Sequence, residues 1–222
     1  MPGVFVFFSR IAKSNDKLHN IYVMEEELQS QKKSFFLFLW EIVKIAVLAL
    51  VIILPIRYFI AQPFFVKGAS MEPSFEDGDY LIINEISYRF SSPQRGEVVV
   101  FRFPEDPKQF FIKRIIGLSE ETVEIGNNQV KIFNEQNPTG LILDESNYLD
   151  PSQTTEGNIR MRLSENEYFV LGDNRLHSSD SRRWGALNRH FIIGKTFFRA
   201  WPINKLKIFR SSFLYHPLTV EQ

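Results

Sequence analysis

The 222-residue chain has no cysteine, which excludes disulfide frameworks, thiolate zinc sites and a cysteine nucleophile together. Oxidising compartments stay open to it. An excess of charge of either sign is also missing, with 26 Lys plus Arg against 26 Asp plus Glu; no basic surplus speaks for nucleic acid, and none is expected as a partner. Histidine is scarce. His19, His177, His190 and His216 are scattered without ligand spacing and read as surface or packing residues, so neither a metal nor another cofactor is expected. The length suits one main folded unit with appendages.

Long apolar runs are absent except in one place. Phe35 to Ile60 holds 26 residues of which only Glu41, Lys44 and Arg57 are charged, enough to cross a hydrocarbon core that needs about 20 helical residues. The uninterrupted apolar part, Ile45 to Ile56, is only twelve residues long, so the charges must snorkel to the two interfaces. Glu41 and Lys44 share one face near one end, Arg57 sits at the other, and Pro55 can close or kink the helix. A buried helix of a soluble protein would show a polar face. A cleavable export signal would lie nearer the start and be followed by a small-x-small site. The run therefore reads as a retained membrane anchor over 35–60, in contact with lipid. A weak excess of Lys17, Lys32 and Lys33 before it favours a cytoplasmic extension at 1–34 and an extracytoplasmic unit at 61–222. The apolar 4–8 stretch is too short to span, and Met24, followed by Glu25-Glu26-Glu27, is a candidate alternative start.

Beyond residue 61 the pattern changes to short β-branched and aromatic runs between turn signals, which predicts a mainly β domain behind one N-terminal transmembrane helix. Strands are expected at Phe64–Val66, Tyr80–Asn84, Glu97–Phe103, Phe110–Ile116, Thr122–Ile125, Gln129–Phe133, Glu167–Leu171 and Gly194–Trp201. Asp77-Gly78, Arg95-Gly96 and Gly126-Asn127-Asn128 supply turns. The polar stretch 134–164, with Pro138, Gly140, Pro151 and Gly157, reads as a long loop within a small insertion at about 117–166.

Three segments carry chemistry. Gly68-Ala69-Ser70-Met71-Glu72-Pro73 sets a serine hydroxyl in a turn of small residues, where its own N–H can face an incoming carbonyl. Alone it would be an ordinary turn. Phe110 to Gly117 is a strand broken by two cations; Lys113 alternates onto the face of Phe111 and Ile115, and burial there lowers a lysine pKa toward that of a general base. An edge-strand lysine that blocks aggregation is the competing reading. Gly172 to Gly185 packs hydroxyls, carboxylates, an amide and arginines into fourteen residues, enough to build a hydrogen-bonded shell in which Asp180 pairs with a neighbouring arginine.

In order and spacing, G-x-S-M-x-P, K-R-x-x-G and G-D-N-R-x-x-S-x-D-S-R-x-x-G resemble the boxes of type I signal peptidases, over about residues 35–209. The resemblance implies a serine endopeptidase with Ser70 as nucleophile and Lys113 as general base. Ser178 would orient Lys113, Asp180 and Arg182 would hold the third segment, and Asp173 and Arg114 would support it. The oxyanion hole would be built from backbone N–H at Ser70 and Gly68. The implied partners are signal peptides of exported preproteins, cut after an Ala-x-Ala-like junction. They would bind as an added strand, with Phe64, Val66 and Ile112 lining the pockets. Departures are Ser74 for the usual Thr or Ala, Leu-Ser-Glu-Glu after Gly117, and His177 for a frequent Asn. The alternatives are a Ser-Lys processing peptidase of another secretion or conjugation system and an inactive anchored scaffold.

Overall fold

The computed structural model of the protein describes residue 24, residues 33–54 and residues 61–209. The expectations for most of residues 1–32, for Pro55 and for Arg57 fall outside them. Two compact units, Met1–Pro55 and Ile56–Gln222, are taken separately.

The described part of the first unit is one helix, α1 (Lys33–Leu54), 22 residues long and apolar enough to cross a membrane. At 1.5 Å per residue it extends about 33 Å, close to the thickness of a hydrocarbon core. Its two interior charges answer each other, Lys44 Nζ lying 2.7 Å from Glu41 Oε1, as residues three apart on one helical face can.

The second unit is built on two antiparallel sheets. The larger sheet runs in the order β1 (Ala61–Phe65), β2 (Tyr80–Asn84), β11 (Ile192–Trp201), β3 (Val98–Phe103), β4 (Asp106–Gly117), β9 (Glu167–Leu171), β10 (Leu187–Asn188), with β12 (Lys207–Ile208) paired to β11. The smaller sheet has the order β7 (Leu141–Ile142), β6 (Gln129–Phe133), β5 (Thr122–Gly126), β8 (Ile159–Arg162). Tyr80–Asn84, Gln129–Phe133 and Glu167–Leu171 have the bounds their alternation predicts. The β5–β6 connection is the two-residue Asn127-Asn128, with φ of 51° and 59°, the left-handed pair that a type I′ hairpin requires.

The stretch 134–164 is not simply a loop, because it supplies β7 and β8, the two outer strands of the smaller sheet. The physical reason lies in the hairpin itself. Val123, Ile125, Val130 and Ile132 are fully buried, and a bare two-stranded hairpin could not cover them. In β8, Ile159 and Met161 pack against that core while Arg160 and Arg162 face out; with only four residues between charges and a Gly, its alternation is hard to see in sequence. The expected strand at Phe110–Ile116 is longer, twelve residues, and it serves both sheets. Its Ile116 joins the core of the smaller sheet with Phe169 and Leu171 of β9, while its Ile115 packs with Val99, Phe101 and Val170. Gly117 is required where the two meet, since a Cβ there would lie 2.4 Å from Val123 Cγ2.

Candidate active site

A third core cluster backs the first of the three segments. Met71 and Phe75, both buried, pack with Val66, Leu81, Ile83, Val98 and Val100, so the loop that carries Ser70 is pinned by its own apolar side chains. Polar clamps fix its two ends. Asn174 donates from its N–H to Ser70 O at 3.1 Å and from Nδ2 to Ala69 O at 3.1 Å. At the other end Arg114 Nη2 donates to Ser74 Oγ at 3.3 Å, and Arg199 of β11 donates to Ser74 O. Arg199 is itself held 3.1 Å from buried Asp79 and lies over the rings of Phe75 and Phe209. Sequence reading passed over Asn174, Arg199 and Asp79. Asn174 was legible as part of a polar run, but its partners lie more than a hundred residues away.

Ser70 and Lys113 meet, with Lys113 Nζ 2.8 Å from Ser70 Oγ and 2.8 Å from the Ile112 carbonyl. Lys113 is 4% exposed. Desolvation pulls its pKa down to about 8, against the raising influence of the Asp180 and Asp173 carboxylates; burial dominates because it disfavours the ammonium outright. A lysine in this state supplies about a tenth of its population as the neutral amine at pH 7, and its neighbour is a hydroxyl whose proton it can take.

Behind the pair stand two ion pairs. Arg114 forms a fork on Asp173, Nε to Oδ1 at 2.8 Å and Nη2 to Oδ2 at 2.6 Å, and Nη1 donates to Gly96 O. Asp180, fully buried, accepts from the Gly172 N–H at 3.1 Å and from Arg182 Nε at 2.8 Å and Nη2 at 2.9 Å. It also caps the short helix α2 (Ser181–Trp184) through the Arg182 N–H. These are strong, directional bonds. Breaking such a pair from one side strands a buried charge, so Asp173→Ala is expected to destabilise the protein by about 3–5 kcal/mol, read as a lowered midpoint in denaturant unfolding.

The structure departs from expectation at two positions. Ser178 does not hydrogen-bond Lys113; its Oγ is buried with no partner among the described residues. It lies against Gly172, where a Cβ would meet Ser178 Oγ at 2.2 Å and Ser70 O at 2.4 Å. The Gly68 N–H is already spent on Asp77 Oδ1 at 2.7 Å, with Gly68 at φ 86°, so Gly68 forms the left-handed bend that opens the loop and offers no free donor. Among the described residues no hydrogen bond uses the Ser70 N–H.

Ser70 and Lys113 open onto a cleft of about 640 Å³ lined by Phe64, Val66 and Ile112, with Leu81, Val100 and Phe110 among its apolar walls. Two strand edges border it. β1 ends the larger sheet, and β9 pairs β4 only from Arg114 onward, so among the described residues the Asp106–Lys113 stretch of β4 is paired on its β3 side alone. A hydroxyl and a buried amine at the floor of a cleft between two open edges form a site suited to acyl transfer from an extended peptide.

Comparison with known proteins agrees. The family described as "Signal peptidase, peptidase S26" matches residues 39–201. A probable signal peptidase I-1 from Synechocystis is 37% identical over 76% of this chain and 85% of its own length. A signal peptidase I from Leptolyngbya laminosa is 38% identical over 76% and 82%, and a signal peptidase IB from Staphylococcus aureus 31% identical over 75% and 91%. A crystal structure of a signal peptidase I from Enterococcus faecalis, 28% identical, covers 47% of this chain and 97% of its own, with a TM-score of 0.39. The chain belongs to the signal peptidase family and is a serine endopeptidase of the signal peptidase I type.

Proposed function

We propose that the protein removes signal peptides from exported preproteins by a Ser70–Lys113 dyad, from an anchor that places residues 61–222 on the outer face of the plasma membrane. The observation that carries this reading is the 2.8 Å contact between Ser70 Oγ and a lysine whose pKa burial lowers to about 8. Neutral Lys113 takes the Ser70 proton as Oγ attacks the scissile carbonyl, and the oxyanion forms against the Ser70 N–H. Lys113 then protonates the leaving amine, and water attacks the acyl-enzyme with Lys113 again as base.

The substrate strand enters between the free edges of β1 and β4, main-chain bonds supplying affinity and side-chain pockets selectivity. Residues at −1 and −3 share one face of an extended strand and point toward the walls made by Phe64, Val66 and Ile112, where small side chains such as Ala fit. Asp173, Arg114, Asp180 and Arg182 support the dyad from behind. Ser178, buried beside the Ser70 backbone without a hydrogen-bond partner among the described residues, is the hydroxyl we assign to orienting Lys113 during the reaction. Ser178→Ala is accordingly expected to lower kcat by about 10–100-fold, the loss of one hydrogen bond to a charged group, with KM little changed; full activity in steady-state kinetics would remove Ser178 from the mechanism.

The reading is tested by incubating detergent-solubilised full chain with a peptide carrying an Ala-x-Ala junction and mapping products by mass spectrometry. Cleavage after the second Ala, lost when that Ala is replaced by Leu, is expected. Intact peptide at all enzyme concentrations would turn attention to a processing peptidase with another substrate.

A further inference from the structure

The segment between β7 and β8 reaches into the support of the active site. Arg175, three residues before Ser178, is almost fully buried, and its guanidinium makes a fork on Glu145, Nη1 to Oε2 at 2.9 Å and Nη2 to Oε1 at 2.6 Å. Nη1 also donates to Thr155 Oγ1, and Nε donates to the Gly172 carbonyl at 3.1 Å. The Arg175 carbonyl accepts from Arg182 Nη2 at 2.6 Å, the same arginine that holds Asp180. A second contact comes from the same segment. Tyr148 lays its ring 4.1 Å from the Arg114 guanidinium carbon and bonds its hydroxyl to Glu145 Oε1 at 2.5 Å.

We propose that Glu145 is a positioning residue for the nucleophile, acting through Arg175 and the 172–174 backbone. The path is short. Glu145 supplies the counter-charge without which Arg175 could not stay buried; Arg175 holds the Gly172 carbonyl; the Gly172 backbone lies against Ser178 Oγ and Ser70 O; and Asn174, next to Arg175, holds the carbonyls of Ala69 and Ser70. Tyr148, bonded to Glu145, covers Arg114, which grips Asp173 and Ser74. The segment between β7 and β8 thus contributes to geometry at Ser70 without touching substrate. None of its side chains lines the cleft among the described residues, so the effect falls on the rate of the chemical step and not on peptide affinity.

This inference builds on the peptidase reading, and its test separates the two. Full-length wild type, Glu145→Gln and the double variant Glu145→Gln/Arg175→Met are compared in detergent on the Ala-x-Ala peptide, with hydrogen exchange of the 69–75 and 172–178 amides measured in parallel. Glu145→Gln is expected to lower kcat by about 10–100-fold, the value of one charge-assisted hydrogen bond, with KM within about twofold. Exchange at both segments rises. The double variant, which removes both buried charges, regains the thermal midpoint of wild type, yet its kcat stays low because the Gly172 carbonyl has lost its donor. A kcat that returns together with the thermal midpoint would show a purely structural ion pair and overturn the proposal, as would unchanged exchange at 69–75 in Glu145→Gln. If wild type leaves the peptide intact, the peptidase reading fails, while the exchange measurement still decides whether Glu145 controls the Ser70 loop.

Discussion

Lys113→Met abolishes peptide cleavage and at the same time makes the folded protein more stable at neutral pH. Methionine fills a similar volume but can neither accept the Ser70 proton nor return it to the leaving amine, so kcat falls by about 10⁴-fold or more, the upper range for a positioned general base. The stability gain follows from the same burial. In the unfolded chain the lysine titrates near 10.4, and in the folded protein at about 8. Between those values the unfolded chain binds the proton more tightly, so stability rises with pH across that window and is lowest below it. The gap of about 2.5 pH units corresponds to about 3 kcal/mol at pH 7, offset in part by the hydrogen bonds to Ser70 and Ile112 that methionine loses. Thermal unfolding of wild type and variant at pH 7 and pH 10.5 checks this. The advantage of the variant is expected at pH 7 and shrinks at pH 10.5; a constant difference would mean that Lys113 is not held against its charge.

Ser70→Ala brings cleavage below detection, a loss on the order of 10⁶-fold as expected when a nucleophile is removed from a concerted group. The fold is untouched, because the Ser70 backbone, not its hydroxyl, carries the bonds to Asn174. Lys113 loses one hydrogen-bond partner and keeps the Ile112 carbonyl. Mass-spectrometric assay over long incubation, with hydrogen exchange to confirm the fold, measures both halves. Residual cleavage at a substantial fraction of the wild-type rate would assign the attack to another group.

Much of this was legible in the sequence because it is local. Strand alternation put Lys113 on the face of Phe111 and Ile115, and an apolar run without a polar face marked α1. Turn chemistry at Gly126-Asn127-Asn128 marked a hairpin, of which the structure keeps Asn127-Asn128 as the connection and takes Gly126 into β5. The boxes named Ser70 and Lys113 through their resemblance to a family, whereas the residues alone left each as an ordinary turn serine or edge lysine. What stayed hidden depends on partners distant in the chain. Arg175 reads as one more surface arginine until Glu145, thirty residues earlier, is folded against it, and Arg199 gives no sign that it holds Ser74. The strands β7 and β8 escaped because two and four residues between charges and glycines carry too little periodicity. The Gly68 N–H could not be assigned without seeing that Asp77 returns to take it.

The proposed role of Lys113 as the neutral base of Ser70 is tested most directly by the pH dependence of kcat/KM on the Ala-x-Ala peptide. Below pH 8 only the amine fraction is competent, about a tenth at pH 7, so kcat/KM is expected to climb about tenfold per pH unit and level off above an apparent pKa near 8. A profile already flat from pH 6 upward, or one governed by a group titrating near 6, would contradict it.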